Sequence, residues 1–163
     1  MKKWIFLTAI VIAFSGCYSF KDVSIPPEVK TVRINYIENR ASYINPQLSP
    51  QLTDRLRQKI NNQTRLTMVS GDDADYEIKG TITSYMVSTA GISQQQAATN
   101  RLTVTVNIDF QNRLNEKDNF KADISRNFDF SASLSLQQAE AQQIDDILKN
   151  LTDEIFNRIF SNW

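Results

Sequence analysis

Residues 101–110 read RLTVTVNIDF, and this stretch decides the fold because its apolar and polar side chains alternate without interruption. Successive side chains of a strand point to opposite faces, so five apolar residues share one face here: Leu102, Val104, Val106, Ile108 and Phe110. A strand of this kind buries one face and leaves the other polar. The rest of the chain should therefore supply similar strands and a second layer that covers their apolar face.

Other strands are predicted on both sides of this stretch. A short strand is expected over residues 66–69 and a turn over residues 112–119. Three longer segments also alternate, with predicted inward-facing side chains Val32, Ile34 and Tyr36, then Tyr76, Ile78, Ile82 and Met86, then Ala122, Ile124, Phe128 and Phe130. Residues 88–100 (STAGISQQQAATN) are polar and uncharged, so we expect a long mobile or functional loop there.

Two amphipathic helices are predicted to cover the sheet. The first has Ser49 as N-cap and Pro50 at the first helical position, and its apolar stripe is Leu48, Leu52, Leu56 and Ile60. The second follows a capping box formed by Ser135 and Gln138. Its apolar face consists of Ile144, Ile147, Leu148, Leu151, Ile155 and Ile159, widened at the end by Phe156, Phe160 and Trp163.

The order of these elements predicts an α+β fold. It is a two-layer sandwich, in which a mostly antiparallel, four- to five-stranded sheet is covered on one face by the two amphipathic helices. Pro26 and Pro27 exclude regular structure just before the first strand. We therefore expect residues 17–28 to be a tether and residues 29–163 to be a single domain, a length that suits one hydrophobic core.

The first residues, 1–16, are predicted to be a lipoprotein signal peptide. Two lysines precede an apolar run over residues 4–14 (WIFLTAIVIAF), which is too short to span a bilayer but fits a secretory signal. The segment Phe14-Ser15-Gly16-Cys17 resembles the bacterial lipobox, with Phe14 in the place of the usual Leu. The resemblance implies that Cys17 becomes the first mature residue and carries the acyl chains. The alternatives are an ordinary secretory signal with a stray cysteine and a buried N-terminal helix.

Composition excludes several functional classes. With 18 Lys and Arg against 18 Asp and Glu, the chain has no basic surplus for neutralising nucleic-acid phosphates. It has no histidine, which is the commonest general base and a common zinc ligand, and it has one cysteine. Asp72, Asp73 and Asp75 lie close together, but the closing glutamate of a helix–loop–helix calcium site is missing, so a solvated turn is expected. We predict no enzyme activity, cofactor or metal site.

Several segments together resemble the LptE family of lipopolysaccharide-assembly lipoproteins. They are CYSF at 17–20, the strand with Val32 and Ile34, LTDRL at 52–56, ADYEIKGTI at 74–82 and RLTVTV at 101–106. The resemblance implies an α/β sandwich lodged inside a large outer-membrane β-barrel (LptD), which it helps to assemble while lipopolysaccharide reaches the cell surface. The implied partners are that barrel, lipopolysaccharide and, through the acyl chains, the membrane.

The residue after Cys17 bears on the localisation of the protein, and two other functions are alternatives to lipopolysaccharide assembly. Tyr18, rather than Asp, follows Cys17, which by resemblance to the enterobacterial sorting rule favours the outer membrane, with the domain facing the periplasm. The alternative function is that of a lipoprotein that activates another envelope complex, such as a peptidoglycan synthase, and co-purification would distinguish the two. A hydrolase is disfavoured by the lack of histidine and of paired buried acids.

Strand parity places three basic residues, Arg33, Lys79 and Arg101, on the face opposite the helices. They share that open face with four hydroxyl side chains, those of Thr81, Thr83, Thr103 and Thr105. Lipopolysaccharide carries phosphates, with which Lys and Arg form charge-assisted hydrogen bonds. We therefore predict that the three basic residues bind the ligand. The alternative is an ordinary solvated sheet face, in which case residues 88–100 are the next candidate.

Overall fold

A six-stranded sheet and two helices form the part of the chain that the computed structural model describes, residues 25–93 and 96–161, with the backbone alone at 92–93 and 96–97. The strands are β1 (Thr31–Ile34), β2 (Glu38–Asn39), β3 (Thr67–Met68), β4 (Tyr76–Ser93), β5 (Gln96–Asn112) and β6 (Phe120–Ser131). The helices are α1 (Leu48–Gln63) and α2 (Leu136–Phe160). The predicted signal peptide, Cys17, most of the predicted tether and Trp163 lie outside the described residues.

The sheet has the strand order β3-β1-β4-β5-β6, and β2 pairs with β4 beyond the end of β1. The strands β4, β5 and β6 form a long antiparallel meander, whereas β1 is parallel to both β3 and β4. The α+β sandwich with a mostly antiparallel sheet is therefore confirmed. It has six strands rather than four or five because β2, a two-residue polar pair, carries no alternation that the sequence could reveal.

Both helices cover one face of the sheet and enclose a single core cluster. All five apolar residues of the 101–110 stretch are buried in it, and so are Leu148 and Ile155 of α2. The α1 stripe is buried as predicted, at Leu48, Leu52, Leu56 and Ile60. The spacing of the apolar residues in the sequence thus identified the faces of β5 and of both helices that pack into the core.

Tyr36 is exposed, so its predicted inward orientation is wrong, and Ile37 is buried in its place. The chain leaves β1 at Ile34, and the period of two ends there because it holds only for strand backbone. Ile37 is fixed by a hydrogen bond from its amide to Thr53 Oγ1 at 3.0 Å. Gly80 makes room for it, since a Cβ atom at that position would lie 2.9 Å from Ile37 Cγ1.

The predicted inward orientation of Met86 is also wrong, because this residue is 61% exposed. The pairing of β4 with β5 shifts register between Ile82 and Ser84. A bulge of this kind adds one residue to one strand, which reverses the inward and outward positions that follow. Tyr85 consequently takes the buried position.

Residues 88–100 do not form the predicted loop. Ser88 pairs with Arg101, Thr89 with Asn100 and Ser93 with Gln96, so β4 and β5 continue as a long hairpin, and residues 94–95 lie outside the described part. Backbone pairing requires no apolar side chains, and threonine favours strands. The last residue of β5 that pairs with β6 is Thr99, so the end of the hairpin extends beyond β6. The polar composition of residues 88–100 is that of this extended hairpin end and not of a loop.

The predicted N-terminal cap is confirmed for α2 and wrong for α1. The capping box of α2 is confirmed, with Gln138 N donating to Ser135 Oγ at 3.3 Å and Ser135 N donating to Gln138 Oε1 at 2.9 Å. The predicted N-cap of α1 is wrong, because the helix begins at Leu48 and Ser49 lies inside it, buried. Asn45 supports this start instead, since its Oδ1 accepts a hydrogen bond from Gln47 N at 2.9 Å.

Candidate binding surface on the open face of the sheet

The open face of β5 and β6 carries polar side chains that pair across the two strands. In the order in which they follow β5, these pairs are Arg101 with Asp129, Thr103 with Asn127, Thr105 with Ser125, Asn107 with Asp123 and Asp109 with Lys121. Directly opposite polar and charged pairs stabilise an antiparallel sheet. The face is therefore a continuous hydrogen-bonding surface.

Arg33 and Lys79 lie together at one end of this face, because Arg33 of β1 is paired with Glu77 of β4. Lys79 Nζ lies 3.2 Å from Glu77 Oε2, and Arg33 Nη1 lies 3.9 Å from Glu77 Oε1. Arg33 also forms an ion pair with Asp72, and Asn35 Nδ2 donates to Glu77 Oε1 at 3.1 Å. We call these five residues the Glu77 cluster.

The two carboxylates of the Glu77 cluster differ in environment. The Glu77 side chain is 8% exposed, so its charge needs the surrounding cations, since an unpaired buried carboxylate is costly. Asp72 is 88% exposed, and surface ion pairs of this kind contribute about 0–1 kcal/mol. A phosphate approaching Arg33 would therefore compete with a weakly held partner, while Glu77 stays in place.

Arg101 lies at the other end of the open face. Lys79 is paired with Asp109, and Arg101 lies eight residues from Asp109 along β5, which is about 27 Å. Arg101 donates two hydrogen bonds to Asp129, at 2.7 and 2.8 Å, and this contact lowers the pKa of the Asp129 carboxyl. The three basic residues therefore share a face but do not form one cluster.

Asp75 has a structural role that the sequence did not indicate. Its Oδ2 accepts hydrogen bonds from the amides of Lys30, at 2.8 Å, and Thr31, at 2.9 Å, and its own amide donates to Thr31 Oγ1 at 2.9 Å. The hydrogen bond from the Lys30 amide is the largest cause of the lowered pKa of Asp75. Asp72 and Asp73 are exposed, in agreement with the predicted solvated turn, whereas Asp75 holds β1 beside β4.

A cleft of about 440 Å³ opens where β1 and β3 end, and sequence reasoning missed it. Its lining includes Arg33 and Arg57, with Asn35, Tyr36 and Val69 beside them. Arg57 Nη2 donates to the carbonyl of Ile34 at 3.1 Å, which holds the guanidinium next to the Glu77 cluster. In the sequence, Arg57 has the pattern of an ordinary solvated helix residue. Only the packing of α1 against β1 shows that it lies in the cleft together with Arg33.

A buried polar contact lies on the helix side of β4. Glu140 of α2 accepts hydrogen bonds from Tyr85 Oη at 2.6 Å and Tyr43 Oη at 3.2 Å, and the two rings stack with centroids 5.3 Å apart. Burial, followed by the adjacent Glu140 carboxylate, raises the pKa of the Tyr85 phenol well above its ordinary value. This contact joins α2, β4 and the segment before α1.

Two negative findings apply to the described residues. Within residues 25–93 and 96–161, His, Cys, Asp and Glu side chains do not gather into a group that could hold a metal ion. No helix in that part of the chain is both long and apolar enough to cross a bilayer.

The fold and the polar open face define the class of protein as a two-layer α+β sandwich whose exposed sheet is a hydrogen-bonding surface. A family model described as "LptE: Lipopolysaccharide-assembly" matches residues 29–159, and the chain belongs to this family. Among curated proteins, no match to the sequence is found.

Solved structures with a similar fold come from several bacteria. Protein CT253 from Chlamydia trachomatis has a TM-score of 0.54 at 9% identity, covering 80% of this chain and 95% of that one. The PelC dodecamer from Paraburkholderia phytofirmans has a TM-score of 0.53 at 10% identity, covering 86% and 94%. The rare lipoprotein B from Shewanella oneidensis has a TM-score of 0.48 at 15% identity, covering 78% and 89%. At these identities, the two higher scores establish similarity of fold alone.

Proposed function

We propose that this chain is an outer-membrane lipoprotein of the lipopolysaccharide transport machinery, acting as the plug and assembly partner of an LptD-type β-barrel. The observation that supports this most strongly is the family match, which extends over residues 29–159 and so includes all six strands, α1 and all of α2 except its last residue. In this role the protein performs no chemistry. It offers a rigid sheet and a polar face to the barrel and to its lipid substrate.

Depletion of the protein tests this function against activation of a peptidoglycan synthase. If the chain assembles the barrel, its loss lowers the amount of folded barrel in the outer membrane and the lipopolysaccharide at the cell surface. An activator of a synthase would instead change peptidoglycan synthesis and leave both of those quantities unaltered. Unchanged folded barrel and surface lipopolysaccharide after depletion would therefore rule out the proposal.

The membrane anchor in this proposal is Cys17, with residues 1–16 removed as signal peptide and residues 17–28 serving as the tether. Several acyl chains on one residue exceed the two that stable membrane attachment requires, since each buried methylene contributes about 0.8 kcal/mol. A Cys17→Ser variant should accumulate as uncleaved precursor or as soluble periplasmic protein. An unmodified N-terminal peptide in the wild-type protein, measured by mass spectrometry, would contradict the assignment.

The ligand in this proposal is lipopolysaccharide, bound through its phosphates by Arg33, Lys79 and Arg101. Two considerations support the open face as the binding surface. Arg33 is held by the exposed Asp72, which a phosphate can replace, and the Lys79 and Arg101 side chains are about half exposed. Arg101 lies about 27 Å along β5 from Asp109, the residue that is paired with Lys79. The two ends of the face therefore contact different parts of one lipid or two separate lipids.

Replacement of all three basic residues by Ser tests the binding surface. Binding of purified lipopolysaccharide at low salt should weaken several-fold, since charge-assisted contacts are lost, and the melting temperature should hardly change. The matched control replaces Arg40, Lys117 and Lys149, three basic residues elsewhere, so that the net charge change is the same. Equal binding by both variants would show that the open face is not the ligand site.

A further inference from the structure

Among the residues that the structure describes, the outer half of β4 has no neighbouring strand on the side away from β5. On the side of β1 and β2, the last contact of β4 is at Ile82, whose carbonyl accepts a hydrogen bond from Arg40 N at 2.9 Å. Beyond that point, within the part of the chain that is described, residues 83–91 pair with β5 alone. We call residues 83–91 the free edge of β4.

The free edge has a bulge at each end but lacks two other common protections of exposed strand edges. Such edges normally carry charged side chains or proline, which prevent pairing with another chain. Residues 80–100 contain neither Asp, Glu, Lys or Arg nor proline. Bulges occur at Ile82/Ser84 and Thr89/Gly91, so residues 84–89 between them form a regular strand. Its backbone groups on the open side are a template for another strand.

The two outer strands of the sheet are guarded, by contrast. On β6, Gln143 Nε2 of α2 donates to the carbonyl of Asp129 at 2.9 Å, and Arg126 forms an ion pair with Glu154 of α2. The strand at the opposite end, β3, has two residues and is too short to recruit a partner strand. The free edge of β4 therefore differs from the two outer strands of the sheet, both of which are protected against pairing with another chain.

Two large apolar side chains lie in the middle of the free edge. Met86 is on the open face, and Val87, on the opposite face, is 41% exposed. Val87 is also the central residue of the segment 83–91. A strand that pairs with its own copy about Val87 would bring these exposed apolar groups of the two chains together.

We propose that the free edge binds the free edge of a second copy of this chain in antiparallel orientation, about a two-fold axis at Val87. Side chains directly opposite each other share a face of a sheet, so the register places Val87 opposite Val87 and Met86 opposite Ser88. A two-fold contact must be self-complementary, and an uncharged segment meets its own copy without repulsion. The two sheets then form one continuous sheet across the dimer. The dimer does not depend on the proposed function and describes the protein while it is free of a barrel.

Cysteine cross-linking of the full chain in native membranes tests this dimer. Opposite Cα atoms of an antiparallel pair lie about 4.5–5.5 Å apart, within the range of a disulfide. Under mild oxidation, Val87→Cys should give several-fold more disulfide-linked homodimer than Leu114→Cys, a control at an apolar residue that is 52% exposed in another part of the fold. The wild-type chain controls for Cys17, its one native cysteine.

The register provides a second, independent test. Co-expression of Met86→Cys and Ser88→Cys chains carrying different tags should give more cross-linked product than either variant alone, because these residues are opposite each other in the dimer. Three results would overturn the proposal. They are equal dimer from Val87→Cys and Leu114→Cys, cross-linking of Val87→Cys to another protein alone, and stronger cross-linking by Met86→Cys alone than by the mixture.

Discussion

Two buried threonines, one on each helix, differ in their hydrogen bonding. Thr53 Oγ1 of α1 accepts from Ile37 N at 3.0 Å and donates to the carbonyl of Ser49 at 2.8 Å. Thr152 Oγ1 of α2 is buried without a hydrogen-bond partner among the described residues. A buried hydroxyl without a partner costs free energy, whereas a satisfied one stabilises the fold.

Substitution by valine should therefore have opposite effects at these two positions. Thr53→Val should lower the free energy of unfolding by about 1–3 kcal/mol, since it leaves the Ile37 amide without its acceptor. Thr152→Val keeps the shape and removes the unsatisfied hydroxyl, so we expect no loss and a gain of up to about 2 kcal/mol. Urea denaturation measures both variants, and a larger loss at Thr152 than at Thr53 would contradict this account.

Asp75 should make the stability depend on pH. Its pKa is lowered in the folded protein, so it contributes stability above the pKa of the unfolded chain, and this contribution is lost as the pH falls through the folded value. Asp75→Asn should be less stable than wild type at pH 7, and the difference should shrink below about pH 4. A constant difference between pH 7 and pH 3 in urea denaturation would show that the Asp75 charge does not hold β1 beside β4.

At the residue scale, the sequence predicted features whose partners are nearby in the chain. The capping box of Ser135 and Gln138 is an example, since both residues lie within one turn. Asp75 could not be predicted in the same way, because its partner amides at Lys30 and Thr31 are more than forty residues away. Ser49 fits the pattern of an N-cap, but the helix begins at Leu48, and Asn45 Oδ1 accepts a hydrogen bond from the amide of Gln47 just before it.

At the scale of elements, α2 contributes a large share of the core. Leu148 and Ile155 lie seven residues apart on the same face of the helix, and both are fully buried. Leu148→Ala or Ile155→Ala should each cost about 2–5 kcal/mol, since each leaves a cavity that the surrounding side chains fill only in part. Leu114→Ala, at an exposed residue, should change the stability by less than about 0.5 kcal/mol and serves as the control. Thermal melts within a degree of wild type for Leu148→Ala would contradict the packing described.

The spacing of apolar residues predicted the strands and helices correctly wherever the backbone is regular. The apolar residues of the stretch 101–110 and of the α1 stripe are buried as expected, and so is most of the α2 face, where Ile144 and Ile159 are only partly buried. The prediction was wrong at Met86, where a bulge reverses the alternation, and at Tyr36, where the chain has already left β1. It was wrong again at residues 88–100, because strand pairing there depends on backbone hydrogen bonds that composition does not reveal.

At the scale of the whole molecule, strand order and length decide which side chains meet. Parity put Arg33, Lys79 and Arg101 on one face from the sequence alone, but it contains no information on which strands are neighbours. The pairing of β1 with β4 brings Arg33 and Lys79 to Glu77, while the length of β5 separates Arg101 from them. The cleft with Arg57 depends on how α1 crosses the end of β1, which local sequence patterns do not determine.

The central claim is that this sandwich belongs to a lipopolysaccharide translocon, and one measurement tests it most directly. The full chain, carrying a C-terminal tag, is purified from native membranes in mild detergent, and its partners are identified by mass spectrometry. The account predicts a large outer-membrane β-barrel of the LptD type as the main partner. Recovery of an inner-membrane peptidoglycan synthase without any such barrel would contradict it.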